Sequence, residues 1–493
     1  MKNKSELRND IFSGVLLFLI SFASIQMIAN LLTSSYDVNQ QHIIRPVFLF
    51  LLPLLAGIFT ILSGYFLNLP YVILPNMMIT ILTVVYGRIY LGYSLSNVFL
   101  SVLIGTIIYV VFSLFITNKN WKHWIPQSFV DSFPFVAGGI LLLFGLYKAG
   151  ILSAVSSKEV ALNLGDSIKM VDSQIPVFLG YILNPLSLSV LFGLCLYVVL
   201  RKHFPKYSLI VAFILIALVG FLIPIQWGNM QVKGKITEFN SFGFYGLKEG
   251  FVLLIANIKS ITLPVIQKYF IILGKLLGLL KLSFLVFVTL TFQNLFVINT
   301  LDKVASEKVK LPGKVDKKEL DQIEPVKSLP YRQMTLMNAI SSFLGIFANL
   351  SSFSYSIESL ILTYTNSATG MTAMICGILL LFSAFLSPIG ILSSQSALPF
   401  LYILVGLSVA ASQIKHIRFD SFSRWFPGFL FFFISIITMN PVEGLVVGII
   451  FYVLITLIDN LYSTKEIVKI HPALWVSFVL SLLFVISQIK IEL

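Results

Sequence analysis

The sequence predicts an all-α polytopic membrane protein of about fourteen transmembrane segments in two inverted seven-span repeats, and three observations carry that expectation. Mean hydropathy is +0.93, with 57% of residues hydrophobic and 11% charged, a balance far outside the soluble globular range. Apolar runs of about 20 residues, the length that crosses a bilayer, recur along the chain. Two spans are interrupted, the third and the tenth. Because they stand an odd number of spans apart, the second set of spans is turned over relative to the first.

Lys2, Lys4 and Arg8 precede the first span, Ile11 to Thr33, and place the amino terminus in the cytoplasm. That run is too long for a signal peptide and has no small-residue cleavage site, so it is expected to stay as an anchor. The second span runs from Ile43 to Phe66. In the third, LNLPYVILPNMMITILTVVYG, Pro70 and Pro75 frame a short β-branched piece, and proline forbids a continuous helix. Span four, Val98 to Thr117, ends in the basic turn KNWKHW. Span five, Phe133 to Leu152, carries Gly138, Gly139 and Gly145, which suit close packing in lipid. A polar loop to Gln174 leads to span six, which ends at Leu200, and span seven, which closes at Pro224. Residues 1–224 form the first expected repeat.

Residues 225–281 form an expected linker. Lysines recur there through two moderately apolar stretches, Gly246 to Ile258 and Leu263 to Leu280, as in amphipathic helices lying along the interface. The second repeat, 282–493, opens with span eight, Leu282 to Leu301. A charged cytoplasmic loop, 302–332, follows, with eight basic and six acidic residues. Span nine covers Met334 to Leu350, the segment around Glu358 supplies ten, and Thr372 to Leu386 supplies eleven. Then come Leu398 to Ala411, Phe426 to Met439, Val442 to Ile458, and a last apolar stretch, Ala473 to Ile486. The turns after spans four, six, eight, twelve and fourteen are basic, whereas those after nine, eleven and thirteen hold no Lys or Arg.

The net charge of +13 resides in loops beside spans, so it reflects orientation in the membrane and not a nucleic acid partner. Cys195 and Cys376 both lie in apolar spans and His is scattered, which supports neither a disulfide framework nor a metal site. No nucleophile paired with a base and no phosphate loop stands out, so neither an enzyme nor a cofactor is expected.

Chemistry concentrates in SSFSYSIESLILTYTNSATGMTAMICG, residues 351–377. Glu358 places a carboxylate inside apolar sequence, which is costly unless the group is neutralised, paired, or facing a polar cavity. The surrounding Ser and Thr residues, Ser359 among them, can satisfy backbone groups where a helix breaks. Two half-helix amino termini, here and after Pro75, would meet at the midplane and bind polar groups of a solute. The expected solute site comprises Glu358 and Ser359 of the tenth segment, Asn76 of the third, and Gln293 and Asn294 of span eight. Glu443, just after Pro441, fits a helix-start carboxylate; Asp131 fits an interfacial structural role, and Asp420 a pairing with Arg418 or Arg424.

In order along the chain, NLPYVILPNMM, IPQSF, LYKAGI, YSIESLILTYTNSATGMTA, FLSPI, ALPFLYILVGL, IRFDSFSRWFPGFLFFF and IHPALW resemble purine permeases of the azaguanine and hypoxanthine type, within the nucleobase-ascorbate transporter superfamily. The resemblance implies a seven-plus-seven inverted topology, a core and a gate domain, and proton-coupled uptake of a nucleobase. It puts the family's base-binding tenth-span Glu on Glu358 and its third-span backbone partners near Leu74 to Asn76. The sequence departs from the family in span eight, where FQNLFVINTL carries Gln293 and Asn294 in place of acidic residues. It departs again at Asn366 to Gly370, which lack the family's Arg. Proton coupling would then rest on Glu358 alone. The expected function is a permease moving a nucleobase, most simply a purine, across the cytoplasmic membrane, with the bilayer, a coupling proton and a homodimeric copy as candidate partners. A sulfate-permease-like anion carrier and a non-transporting protein on the same scaffold are the alternatives.

Overall fold

The computed structural model describes residues 4–36, 38–90, 92–115, 125–152, 159–164, 167–172, 185–204, 207–222, 272–308, 330–346, 351–364, 369–385, 397–411, 422–462 and 469–486. Among them, seven helices are long and apolar enough to cross a membrane and six more are shorter and apolar. The chain divides into two compact units: Met1–Gly138, Thr237–Pro388 and Ser408–Leu493 form the first, and Gly139–Ile236 with Ile389–Leu407 the second. The units therefore do not coincide with consecutive halves of the sequence.

The first unit opens with α1 (Lys4–Ser34) and α2 (Val38–Leu67). The third segment is broken as its prolines require. It contains β1 (Ile73–Pro75), α3 (Met77–Ile81) and a π-helical continuation, Leu82–Tyr90. Next come α4 (Leu95–Phe115), the start of α5 (Gln127–Lys148), α8 (Ile272–Lys308) and α9 (Tyr331–Gly345). The tenth segment is broken too, into β4 (Phe353–Tyr355) and a 3-10 helix, Ile357–Tyr364. The unit closes with α10 (Gly370–Phe385), α12 (Phe422–Ile437), α13 (Pro441–Tyr462) and α14 (Pro472–Ile486).

Two devices hold this unit together. Gly57 and Gly64 of α2 face Gly377 and Gly370 of α10 in antiparallel order: a Cβ on Gly57 would lie 2.7 Å from the Gly377 carbonyl oxygen, and one on Gly64 2.6 Å from that of Gly370. Small residues at equal spacing on both helices bring the backbones together, which is how helices associate where lipid removes the hydrophobic drive. At the end of α2, Asn68 adopts a left-handed conformation (φ 52°), and its Oδ1 accepts from the Gly370 N–H at 2.9 Å. The second device is aromatic. Phe133 of α5 and Phe431 of α12 both pack on Phe296 of α8, with ring centroids 5.2 and 5.7 Å away.

The second unit holds the rest of α5, the strands β2 (Glu159–Leu164) and β3 (Ser167–Asp172), α6 (Pro185–His203), α7 (Ser208–Leu222) and most of α11 (Ala397–Ala411). Gly145 of α5 lets α11 approach at Tyr402 and Ile403, and Phe144 meets Tyr402 edge-on at 5.4 Å. Ser187 of α6 donates to the Ala149 carbonyl at 2.7 Å.

Three differences from expectation stand out. The polar loop before Gln174 contains the antiparallel pair β2–β3, in register from Glu159↔Asp172 to Leu164↔Ser167; its alternating EVALNL and SIKMVD suit a strand pair, which a reading by hydropathy alone passes over. Residues 272–281, expected in the linker, are instead the first turns of α8, because Gly274 and Gly278 weaken a helix without ending it. The rest of that linker, residues 225–271, lies outside the described residues, as do positions 309–329 of the charged loop and Asp420. Span five begins earlier than expected, at Gln127, whose Nε2 donates to Asp131 Oδ1 at 2.9 Å.

Replacing Gly377 by Val should force α2 and α10 apart and cost about 1–3 kcal/mol, the range for overpacking. Thermal unfolding in detergent will read this as a lowered midpoint; an unchanged midpoint would mean that the glycine contact does not hold the unit together.

Candidate functional site

The two broken segments meet. Antiparallel pairing joins Ile73 to Tyr355, Leu74 to Ser354 and Pro75 to Phe353. It is extended at both ends, by Ser356 N–H to the Val72 carbonyl (3.0 Å) and by Asn76 N–H to the Ser352 carbonyl (2.7 Å). Side chains satisfy what the strands leave over. Thr60 of α2 accepts from the Ile73 N–H at 3.1 Å, and Ser359 Oγ accepts from the Val72 N–H at 3.1 Å. In α9, Ser341 and Ser342 both donate to the Phe353 carbonyl. Phe353 itself lies against Gly345 of α9 and meets Phe59 of α2 edge-on at 5.4 Å.

Glu358 stands in the first turn of the 3-10 helix and is only 6% exposed. Ser24 of α1 donates to its Oε1 at 2.7 Å, and Ser356 donates to its Oε2. Among the described residues no cation pairs with it. A carboxylate has about four lone-pair positions; the two hydroxyls and the Glu358 backbone N–H take up about three, which leaves roughly one to accept from a bound molecule.

Asn76 is the N-cap of α3, its Oδ1 accepting from the Ile79 N–H at 3.0 Å, while its Nδ2 donates to Ser354 Oγ at 3.2 Å. It thus caps one broken segment and ties it to the other. Asn294 of α8 donates to the Tyr109 hydroxyl of α4 and accepts from Asn338 Nδ2 of α9. Asn338 Oδ1 in turn accepts from the Tyr355 N–H at 2.7 Å, on β4. This amide chain connects α8 to the strand that leads into Glu358. Gln293 is buried, and its Oε1 has no hydrogen-bond partner among the described residues.

Of the five expected side chains, Glu358, Ser359 and Asn76 are therefore gathered at the β1–β4 crossing, Asn294 reaches it through Asn338, and Gln293 is not hydrogen-bonded into it. Sequence reasoning passed over Ser24, Tyr109, Asn338 and Tyr355. The amide Asn338 in an apolar helix is the one that carried a readable signal. A second buried carboxylate, Asp10 of α1, was also passed over. It is 3% exposed and accepts from Thr369 (2.7 Å) and Thr372 (3.2 Å) at the start of α10. Glu443 occupies the first turn of α13, where the Asn440 side chain caps the helix: its Nδ2 donates to Glu443 at 3.0 Å while its Oδ1 accepts from the Val442 N–H at 3.1 Å.

Asn338→Leu should strand the Tyr355 N–H and the Asn294 side-chain Oδ1 and cost about 1–3 kcal/mol. A melting point equal to the parent's would show that the amide chain does not hold β4.

No family model matches the chain. A provisionally named permease from Haemophilus influenzae is 26% identical over 452 residues, 90% of this chain and 88% of that protein. Another, from Methanocaldococcus jannaschii, is 22% identical over 440 residues, 89% of this chain and 86% of that protein. Among solved structures, the transmembrane domain of a cyanobacterial bicarbonate transporter, BicA, superposes with a TM-score of 0.51 at 14% identity, covering 91% of this chain and 98% of that one. The chain is thus a multi-pass helical membrane protein sharing the fold of that transporter domain along nearly its whole length.

Proposed function

We propose that this protein is a secondary transporter that carries a nucleobase, most simply a purine, across the cytoplasmic membrane in symport with a proton. The observation that carries the reading is the buried Glu358 carboxylate at the crossing of two broken spans, held by hydroxyls and retaining acceptor capacity. A planar base offers N–H donors along its ring edge, and the acceptor position left on Glu358 can take one of them. Gln293 Oε1, without a hydrogen-bond partner among the described residues, adds a further acceptor on α8. The two relatives named as permeases support passage of a solute through the membrane.

In this mechanism Glu358 accepts from a base N–H and holds the coupled proton in the same loaded state, its acid O–H then donating to Ser24 or Ser356, since the amides of α8 cannot titrate. Ser24 and Ser356 position the carboxylate in both states, because a hydroxyl can donate to it or accept from it. Residues 1–224 and 272–493 act as the two inverted repeats, joined by 225–271, and alternating access exposes the site to one side at a time. The amino terminus lies in the cytoplasm, and a homodimer is the assembly we favour.

One observation favours a second reading, an anion carrier. Span eight offers amides instead of carboxylates, which removes a charge that would repel an anion, and the solved structure with this fold carries bicarbonate. The charge of Glu358 opposes that reading.

Proteoliposome uptake of labelled purines, uracil, bicarbonate and sulfate separates the two. Purine uptake should fall about 10- to 100-fold in Glu358→Gln, the factor expected when a hydrogen bond to a charged group is lost. Anion uptake that survives or rises in the variant establishes the second reading, and transport of none of these solutes removes both. An inward proton gradient should accelerate purine uptake by the parent and leave the variant's residual uptake unchanged; indifference in the parent would exclude proton symport.

A further inference from the structure

A cavity of about 310 Å³ lies between α8, α13 and α14, apart from the β1–β4 crossing. Each helix lines it with four residues at i, i+3, i+4 and i+7, starting at Lys281 on α8, Val442 on α13 and Ser477 on α14. Two helical turns on three sides make a channel about 10 Å long, parallel to the helices. Its wall is almost wholly apolar, and among the described residues the only charged side chain on it is Lys281, at one end. There the ammonium lies 5.4 Å from the centre of the Phe484 ring, the last lining residue of α14. The cation therefore marks one mouth of the channel. The volume sits at the small end of the range for sites that bury an organic ligand.

A polar solute finds few partners along such a wall, the hydroxyls of Ser477 and Ser481 on one helix. An alkyl chain fills it, and a negative head group at its end meets Lys281. That combination selects an anionic amphiphile, and in a membrane-spanning chain the abundant one is an anionic phospholipid. Lys281 stands three residues inside the start of the apolar span Gly278–Asp302, at the depth from which a lysine stem reaches the head-group layer. In the sequence, Lys259, Lys268 and Lys275 precede it.

We infer that the α8–α13–α14 channel binds one acyl chain of an anionic phospholipid, with Lys281 holding the phosphate. The inference rests on the protein's being embedded in a bilayer and is independent of the transported solute.

The test uses the full chain, purified, delipidated and exchanged into nanodiscs containing phosphatidylcholine and phosphatidylglycerol, with co-purifying lipid counted by native mass spectrometry. The parent should retain phosphatidylglycerol over phosphatidylcholine by about fivefold, the ratio that ~1 kcal/mol per surface lysine gives. Lys281→Gln should abolish the preference, Lys281→Arg should restore it, and Val446→Trp, which fills the channel, should release both lipids. A preference that survives Lys281→Gln, or lipid retained by a folded Val446→Trp, overturns the inference. If Val446→Trp does not fold, the Gln and Arg pair decides alone. Loss of nucleobase uptake with lipid preference intact would remove the transport reading and leave this site standing.

Discussion

A backbone amide in hydrocarbon must find its partner inside the protein, and the centre of this molecule is organised by that requirement. Pro70 and Pro75 prevent the third span from satisfying its own amides. The tenth segment is broken too, in its run of small hydroxyl residues, and each segment supplies what the other lacks. Three residues of β1 pair with three of β4, and the neighbouring Val72 and Asn76 extend the pairing by one bond at each end. Thr60, Ser341, Ser342, Ser359 and Asn338 then complete the strands from α2, α9, the 3-10 helix and α9 again. Glu358 owes its position to this arrangement, since it follows β4 by three residues.

The same economy explains how α1 is used. Near one end, Asp10 is bound by threonine hydroxyls at the start of α10; farther along, Ser24 donates to Glu358. Both carboxylates are thus engaged by hydroxyls, which can serve an ionised or a neutral acid. The glycine contact of α2 with α10 fixes the remaining side, because α10 begins six residues after the 3-10 helix ends. Rigid helices therefore surround short, irregular segments, as expected where non-helical backbone is shielded from lipid.

Much of this was legible in the sequence because the signals were local. Pro70 and Pro75 broke a helix in full view, and Glu358 was conspicuous as a carboxylate in apolar surroundings. Ser24 was not, since a single serine in a span reads as a tolerated small residue until its neighbour is known. The amide chain from Asn294 through Asn338 to Tyr355 depends on how α8 and α9 pack, which no spacing along the chain encodes. The start of α8 was placed too late for a different reason: recurring lysines suggested a helix along the interface, yet a helix continues through them when nothing blocks it. The β2–β3 pair escaped because hydropathy separates spans from loops and is blind to structure within a loop.

The β1–β4 pairing also has a consequence for biogenesis. Asn76 and Ser354 are separated by 278 positions in the chain. At about 5–20 residues per second, synthesis of the intervening segment takes roughly 14 to 56 s. For that interval the third span is made while its partner strand does not yet exist. Its extended residues must wait in the translocation machinery, beside water, or against temporary neighbours, so the centre of the protein is completed late, when the second half arrives to close it.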